Sequence, residues 1–241
     1  MTPGRQEETR GPAVRRTGRL AVVGHGKMGR AVEQLAHERG WTVAGIVGRE
    51  DAFPAGADVA IEFTEPASAV PNVRRALAAG CPIVVGTTGW YDALPEMERE
   101  VARSGGALLW APNFALGMHA FRRLVEDAAR RLGPIADMDP HLVETHHRAK
   151  KDAPSGTAIA LGRAAEGVLG RSIPITSIRV GSVPGTHELV FDSPFEQVRL
   201  EHIVRDRRVF AAGALHAAGW LIGRRGVFTL DDVVGGEGVR A

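Results

Sequence analysis

One short stretch of the chain, residues 144–158, concentrates the side chains that could do chemistry; its sequence is ETHHRAKKDAPSGTA. The imidazole of His146 can take up or release a proton near neutral pH, which suits a general acid. Lys150 supplies positive charge, and a helix that begins near Ser155 would offer free backbone N–H groups to an anion. Together these residues indicate a site that anchors a small carboxylate substrate and protonates it.

The same residues also have structural interpretations. His146 and His147 are adjacent, so on a strand one of them can face a cleft while the other supports it. Lys150 and Lys151 could form a solvated charge run, and Asp152 is a plausible N-cap residue for the helix that follows. The other seven histidines show no cluster in the sequence: His25, His37, His119, His141, His187, His202 and His216. We expect them to be structural or surface residues, except that His25 lies inside the glycine-rich turn described below.

A metal site is the other chemical interpretation of the histidine pair. The sequence contains one cysteine, and it has no H-E-x-x-H motif and no carboxylate triad that would complete such a site. We therefore expect no metal.

The first half of the chain has the pattern of a dinucleotide-binding sheet. Residues 20–23 form a short apolar run, residues 30–39 have helical spacing, and residues 42–47 read as a second strand. A turn with G-x-G-x-x-G spacing separates the first strand from the helix, and its glycines would let the backbone approach a pyrophosphate. A purely structural turn is the alternative. The turn residues expected to bind the cofactor are Gly24, His25, Gly26, Lys27, Met28 and Gly29.

Further cofactor contacts are expected where later strands end, because ligands of open α/β sheets bind beyond the carboxyl ends of the strands. Arg49 and Glu50 follow the second strand; an acid there suits the ribose hydroxyls of NAD, and an arginine accommodates the 2′-phosphate of NADP. NADPH, or use of both NADPH and NADH, is therefore plausible. The remaining candidates are Phe63, Gly86, Thr87, Thr88, Ala111, Pro112, Asn113 and Phe114.

The second half of the chain reads as an inserted domain. Residues 116–132 and 157–169 have helical patterns, and strand-like runs occupy residues 140–144, 176–180, 186–191 and 195–205. This order predicts a small, partly antiparallel sheet, a type that often supports self-association. Residues 209–223 read as a helix and residues 227–234 as a last short helix or turn. We expect an α/β protein with a Rossmann-type, doubly wound parallel sheet (residues 19–112 and 209–241) and an inserted α+β domain for substrate binding and oligomerisation (residues 113–208).

Composition excludes several classes of function. The net charge of the 241 residues is only +2, which argues against a nucleic-acid surface. No apolar run approaches the length of a membrane span, and residues 1–18 read as a disordered tail rather than a signal peptide. A lone cysteine, Cys81, cannot form an internal disulfide. We expect a cytoplasmic protein without membrane contact.

The motifs in this order resemble those of the 4-hydroxy-tetrahydrodipicolinate reductases, historically called dihydrodipicolinate reductases. The resemblance runs from the glycine-rich turn at residues 24–30, through residues 62–64, 86–89 and 111–114, to residues 144–158, and it covers roughly residues 19–234. The block at residues 144–158 is highly specific, whereas the glycine-rich turn is not and is one residue shorter than the commoner family form.

The resemblance implies two domains, a homotetramer joined through the sheet of the second domain, and hydride transfer from NADPH or NADH to a cyclic imine dicarboxylate. It implies that His146 is the proton donor and Lys150 the second catalytic group. Thr88 would contact substrate as well as cofactor. The residues implied to hold the substrate carboxylates are His147, Lys150, Ser155, Gly156 and Thr157.

Two other functions compete with the reductase. A dehydrogenase acting on another amino-acid or semialdehyde substrate could use Cys81 as a thioester nucleophile, although Cys81 precedes a strand and so lies at the wrong end of the sheet. A non-catalytic nucleotide sensor would need the glycine-rich turn but not His146 and Lys150.

Overall fold

The computed structural model describes residues 17–235, so the expected tail up to residue 16 and residues 236–241 lie outside the described chain. The chain folds into two compact units. Unit 1 runs to Pro112 and includes Ala214–Thr229, and unit 2 contains Asn113–Gly213 and the segment from Leu230. None of the helices in the described residues is long and apolar enough to cross a membrane.

The elements of unit 1 mostly alternate between strands and helices. The third strand follows the second without an intervening helix, and a short 3-10 helix lies at Tyr91–Ala93. They are β1 (Arg19–Val23), α1 (Lys27–Glu38), β2 (Thr42–Val47), β3 (Val59–Glu62), α2 (Pro66–Ala78), β4 (Ile83–Val85), α3 (Leu94–Ser104) and β5 (Ala107–Trp110). The elements of unit 2 are α4 (Leu116–Leu132), β6 (Asp139–His146), α5 (Gly156–Leu169), β7 (Ile175–Arg179), β8 (Thr186–Asp192) and β9 (Gln197–Ile203). The chain ends with α6 (Arg208–Leu221), β10 (Gly226–Phe228) and α7 (Leu230–Gly235).

Unit 1 is built on a six-stranded parallel sheet with the order β10-β5-β4-β3-β1-β2. Its central strands are largely apolar because both faces of the sheet are covered. All four residues of β3 are buried, including Glu62 at its end. The order in which strands are added to the sheet changes direction at β1: β2 lies on one side of it, and β3 and the later strands lie on the other. Such a switch point is where doubly wound sheets bind ligands. The predicted Rossmann-type sheet is confirmed.

The sheet has one more strand than the sequence pattern indicated. β10 pairs with β5 from Gly226 to Phe228, where we expected a helix or turn. Three residues are too few to show a period, so only the pairing with β5 identifies this strand. The following helix α7 packs within unit 2, where Asp231 accepts hydrogen bonds from His119 and Arg123 of α4. Residues 230–235 therefore belong to unit 2, whereas we expected them in the domain of the parallel sheet.

Unit 2 contains a separate four-stranded mixed sheet with the order β7-β6-β8-β9. β6 and β7 are parallel, and the other two pairs are antiparallel. One face packs against α4 and α5 through a core that includes Phe121, Leu142, Leu161 and Leu189. The inserted α+β domain with a mixed sheet thus has the predicted kind of architecture.

Candidate active site

The glycine-rich turn of unit 1 has the geometry that a pyrophosphate requires. A β-carbon at Gly24 would lie 2.5 Å from the carbonyl oxygen of Phe63, and one at Gly29 would lie 2.0 Å from the carbonyl oxygen of Gly24. Gly26 is the N-cap of α1 and faces open space, with nothing within 4 Å of its would-be β-carbon. No acidic residue occupies the first turn of α1, so the positive end of the helix is not neutralised. These residues fit the diphosphate of a dinucleotide.

A cavity of about 700 Å³ lies at the carboxyl ends of β1, β2 and β3. Gly24, His25, Gly26, Arg49 and Phe63, all predicted as cofactor contacts, are among its lining residues. Its volume suits a nucleotide-sized ligand. The cavity lies at the topological switch point of the sheet.

A second arginine lines the same cavity and was missed in the sequence. Arg75 of α2 donates hydrogen bonds to the carbonyl oxygens of Gly48 and Arg49, both at 3.1 Å. Arg49 itself donates to Glu65 Oε1 at 2.8 Å. Arg75 had no signal in the sequence because its place beside Arg49 depends on the packing of α2 against the end of β2.

The remaining predicted cofactor residues do not line this cavity. Lys27 is exposed, Met28 is half-buried, and Thr88 is exposed after β4. The hydroxyl of Thr87 accepts a hydrogen bond from the N–H of Thr64 at 2.7 Å. Gly86 leaves space for the ring of Phe63, since a β-carbon there would lie 2.0 Å from that ring.

Residues 111–114 carry the chain from β5 toward α4. Ala111 is buried in unit 1 and Pro112 is exposed. In unit 2 the side chain of Asn113 accepts a hydrogen bond from the N–H of Ala115 at 2.8 Å, and Phe114 is buried with 2% of its surface exposed. Their contact with a cofactor stays a prediction.

The inner face of the unit 2 sheet changes from apolar to polar at one end. Every second residue of β6 points to this face and is buried, among them Leu142, Glu144 and His146. The neighbouring strands add residues in register: His187 of β8 lies opposite Glu144, and Arg179 of β7 pairs with His146. Strand pairing therefore gathers an acid, two imidazoles and a guanidinium at one edge of the core.

Glu144 is the centre of this group. Its side chain is fully buried, and its Oε1 atom accepts hydrogen bonds from Arg179 Nη2 at 2.6 Å and from the N–H of Ser155 at 3.2 Å. Its Oε2 atom contacts Nδ1 of His146. Burial favours the neutral acid, but the hydrogen bonds, that of Arg179 foremost, outweigh burial and lower the pKa of Glu144 to about 2. The carboxylate is ionised at neutral pH.

The two imidazoles are held toward the neutral form. Burial lowers the pKa of His146, against the opposing hydrogen bond with Glu144. Burial and the charge of His146 lower the pKa of His187 to about 4. The two rings meet edge to face, with their centroids 5.2 Å apart.

His187, which we expected to be a structural or surface residue outside any cluster, is buried and clusters with His146 and Glu144. His187 is 3% exposed and its Nε2 atom lies 3.3 Å from the hydroxyl oxygen of Ser155. Its place depends on the antiparallel register of β6 and β8, in which Glu144 faces His187. Nothing in the one-dimensional sequence specifies that register.

The loop from β6 to α5 carries the second predicted catalytic group. Lys150 forms an ion pair with Asp152, at 2.8 Å between Nζ and Oδ1. We expected Asp152 to be the N-cap of the helix, and this prediction is wrong. Ser155 takes that position: its hydroxyl accepts a hydrogen bond from the N–H of Ala158 at 3.1 Å, and α5 begins at Gly156. A serine satisfies a free helix N–H as well as an aspartate does.

The candidate substrate residues surround this helix start. His147 is half-buried beside His146, Gly156 is exposed, and Thr157 is half-buried in the first turn of α5. That turn contains no acidic residue. Lys150, Arg179 and the open N-terminus of α5 together form an arrangement that can hold a carboxylate.

The grouping also removes one argument against a metal. Glu144, His146 and His187 offer ligand atoms within 4.8 Å of one another, so the partners that the sequence seemed to lack are present. The same carboxylate, however, already accepts a hydrogen bond from the Arg179 guanidinium. A cation held on that oxygen opposes a divalent ion electrostatically, so these residues fit a metal poorly.

Two family models match nearly the whole described chain. Residues 18–114 match the N-terminal model of dihydrodipicolinate reductase, and residues 117–234 match the C-terminal model. The chain belongs to the dihydrodipicolinate reductase family. The resemblance stated from the sequence motifs is confirmed.

Reviewed relatives agree with this family assignment. A 4-hydroxy-tetrahydrodipicolinate reductase of Zymomonas mobilis is 36% identical over 241 residues, covering 87% of this chain and 94% of that protein. Another reductase of the dihydrodipicolinate reductase family, from Christiangramia forsetii, is 31% identical over 234 residues, covering 89% of this chain and 97% of that protein.

Solved structures show the same fold. A dipicolinate-bound dihydrodipicolinate reductase from Paenisporosarcina sp. has a TM-score of 0.76 at 20% identity, covering 90% of this chain and 99% of that one. Aspartate semialdehyde dehydrogenase II from Vibrio cholerae is less similar, with a TM-score of 0.51 at 11% identity over 86% of this chain and 98% of that one. At these identities both likenesses concern the fold alone.

Proposed function

We propose that this member of the dihydrodipicolinate reductase family reduces 4-hydroxy-tetrahydrodipicolinate to tetrahydrodipicolinate with NADPH or NADH, in the biosynthesis of lysine and diaminopimelate. The observation that carries the proposal is the buried group of Glu144, His146 and Arg179 beside the start of α5. A buried acid–imidazole pair next to an anion site is what reduction of an unsaturated dicarboxylate requires.

Unit 1 is proposed to be the dinucleotide-binding domain. The glycine turn would hold the diphosphate, and the cavity that Arg49 and Arg75 line would hold the adenosine end. A reduced nicotinamide, when bound, supplies a hydride to ring C4 of the substrate. The 2′-phosphate of NADPH would meet the positive charge of Arg49.

Unit 2 is proposed to be the substrate-binding domain. The two carboxylates of the substrate would bind the N–H groups of Gly156 and Thr157, the Ser155 hydroxyl, the ring N–H of His147 and the ammonium group of Lys150. Because Lys150 is held by Asp152, it is already ordered before substrate arrives. Less side-chain entropy is then lost on binding.

His146 is proposed to be the proton donor. The 4-hydroxyl group of the substrate must leave as water, which gives a ring conjugated at C4. Once the hydride has been added to C4, the neighbouring ring carbon must take up a proton, and an imidazolium can give it. Burial lowers the pKa of His146 in the free chain. Two substrate carboxylates nearby would favour the charged imidazolium, so substrate would help to load its own acid.

A homotetramer is proposed to form through the outer face of the unit 2 sheet. Strand register aligns Ile178, Thr145, Thr186 and Ile203 in one row across the four strands. Ile178 and Ile203 at the two ends of the row are 42% and 53% exposed. Burial of two large apolar side chains in each copy favours contact with a second copy. Native mass spectrometry of the intact chain measures the oligomeric state.

The competing dehydrogenase that uses Cys81 loses its support. Cys81 is 4% exposed and precedes β4, at the amino ends of the strands. Burial, with the charge of Asp58, raises the pKa of its thiol to about 12. A thiol in that state is a poor nucleophile.

A coupled assay tests the proposal. Substrate is generated in situ from pyruvate and aspartate semialdehyde by the preceding synthase, and oxidation of NADPH and of NADH is followed separately by absorbance. The proposal predicts oxidation that requires the synthase. Cofactor binding without oxidation would instead support a nucleotide sensor, and oxidation driven by other amino-acid precursors would support a different dehydrogenase.

A further inference from the structure

A fully buried carboxylate lies beneath the predicted proton donor. Glu144 precedes His146 by two residues on β6, so both side chains lie on the inner face of the sheet. Withdrawing an ionised carboxylate from water costs several kcal/mol unless it is well paired. Burying the Glu144 carboxylate therefore costs free energy that its hydrogen-bond partners must offset, and the identity of those partners indicates the role of Glu144.

The partners come from three elements and hold the carboxylate in one orientation. Arg179 of β7 and the N–H of Ser155, at the start of α5, bind Oε1, while Oε2 contacts His146. The same Arg179 nitrogen donates to the carbonyl oxygen of Asp152 at 2.6 Å. Arg179 therefore ties the carboxylate to the loop that carries Lys150, and Glu144 cannot rotate away from the imidazole.

This contact decides which nitrogen of His146 can act. An ionised carboxylate only accepts hydrogen bonds, so the Nδ1 atom that faces it carries the hydrogen. The other ring nitrogen, Nε2, points toward Gly185, where a β-carbon would lie only 3.0 Å away. Nε2 is thus the nitrogen that gains and loses the transferable proton.

We propose that Glu144 is a positioning residue, which orients the His146 imidazole and keeps the neutral ring in the Nδ1–H tautomer, and that Arg179 holds Glu144 in place. The tautomer follows from the geometry of unit 2 alone. The consequence for catalysis rests on the proposed reductase function.

The charges around His146 show why the carboxylate matters. Burial lowers the pKa of His146, and the cations of Lys150 and Arg179 act in the same direction. His187 packs against the ring from β8 and adds no negative charge. Glu144 opposes burial and these two cations, because its hydrogen bond and its negative charge both raise the pKa of His146. Without Glu144, less imidazolium would be available at any given pH.

The first test replaces the charge and keeps the shape. Glu144→Gln is expected to lower kcat by about 10- to 100-fold, part of the 10²–10⁴-fold that a general acid contributes, with KM for the substrate changed much less. The alkaline limb of the kcat profile should move to lower pH, because the imidazolium loses its counter-charge. Glu144→Asp should recover part of the rate. Glu98→Gln, at an exposed position on α3 of unit 1, is the matched control and should resemble the wild type.

The second test needs no activity. Nitrogen chemical shifts of ring-labelled histidine, assigned to His146 with a His146→Gln variant, report the tautomer directly. The wild type should show the Nδ1–H tautomer, and Glu144→Gln a mixture of both. Arg179→Gln, which leaves Glu144 present but loosened, should give an intermediate result and serves if Glu144→Gln does not fold.

The two tests separate the failure of this inference from the failure of the proposed function. An Nδ1–H tautomer that depends on Glu144, in a chain that does not reduce the substrate, would retain the positioning role and reject the reductase. An unchanged tautomer and an unchanged pH profile in Glu144→Gln would overturn the positioning role, even with full reductase activity in the wild type.

Discussion

Gly185 offers a sharp test of the site because its missing side chain leaves room for the imidazole of His146, the proposed proton donor. Gly185 precedes β8, and a β-carbon there would lie 3.0 Å from Nε2 and 3.3 Å from Cδ2 of His146. Ordinary van der Waals contacts are about 3.5–4.0 Å, so in Gly185→Ala the ring must retreat by about half an ångström. Its φ of +157° adds backbone strain for alanine, on the order of 1–3 kcal/mol.

The expected effect follows from that displacement. A misplacement of about 1 Å can cost about 10²-fold in rate, so half of it predicts a loss in kcat of about tenfold in Gly185→Ala. Affinity for NADPH should be unchanged, because the glycine turn lies in unit 1. The assay is the synthase-coupled oxidation, with NADPH affinity measured by fluorescence titration.

The matched control is another glycine with room for a side chain. Gly167 lies within α5, and nothing approaches within 4 Å of its would-be β-carbon. Gly167→Ala should keep full kcat and gain up to about 1 kcal/mol of stability from helix propensity. A folded Gly185→Ala variant with kcat within twofold of wild type would refute the argument that His146 acts in the position described.

Three further predictions concern charge. Because the pKa of Glu144 is lowered to about 2, its ionised form stabilises the fold above the unfolded pKa and this stability is lost as pH falls through about 2. That contribution is on the order of 3 kcal/mol at neutral pH. The difference in unfolding free energy between wild type and Glu144→Gln, from urea titrations, should therefore stay constant from pH 7 to about pH 5 and shrink as the pH falls from about 5 toward 2. Dipicolinate, used as a dicarboxylate probe, should bind with uptake of a proton by His146. The binding enthalpy measured by calorimetry should then depend on the buffer in the wild type and not in His146→Gln, and equal wild-type enthalpies in all buffers would contradict the prediction. Arg49→Gln should weaken NADPH binding by about tenfold and NADH binding less, as expected for one charge-assisted contact to a phosphate, while Arg103→Gln on α3 should alter neither; equal losses for both cofactors would argue against a 2′-phosphate contact.

Local patterns in the sequence predicted much of the fold. The helix expected at residues 116–132 occupies those residues, and the strand expected at residues 42–47 is β2. Both elements have clear signals: helical spacing of apolar residues that ends at Gly133, and an apolar run between a glycine and a turn. The glycine turn was recognisable because its spacing, its strand and its helix occur together.

The environment of His146 could not be predicted in the same way. His146 was found from its residue type and neighbours, but Arg179 and His187 reach it only through the pairing of β6 with β7 and β8. The register of a sheet depends on side-chain packing across strands that are far apart in sequence. Glu144 was visible in the motif, yet its role as the partner of His146 follows only once both are placed on one buried face.

The proposed reaction depends most directly on the proton donor, and one comparison tests that role of His146. Wild type and His146→Gln are measured side by side for kcat with synthase-generated substrate, and for binding of NADPH and of dipicolinate. We expect the variant to lose about 10²-fold or more in kcat, with both ligands still bound within a few-fold of the wild-type affinity. A variant that keeps its kcat would show that the proton comes from elsewhere and would contradict the central claim.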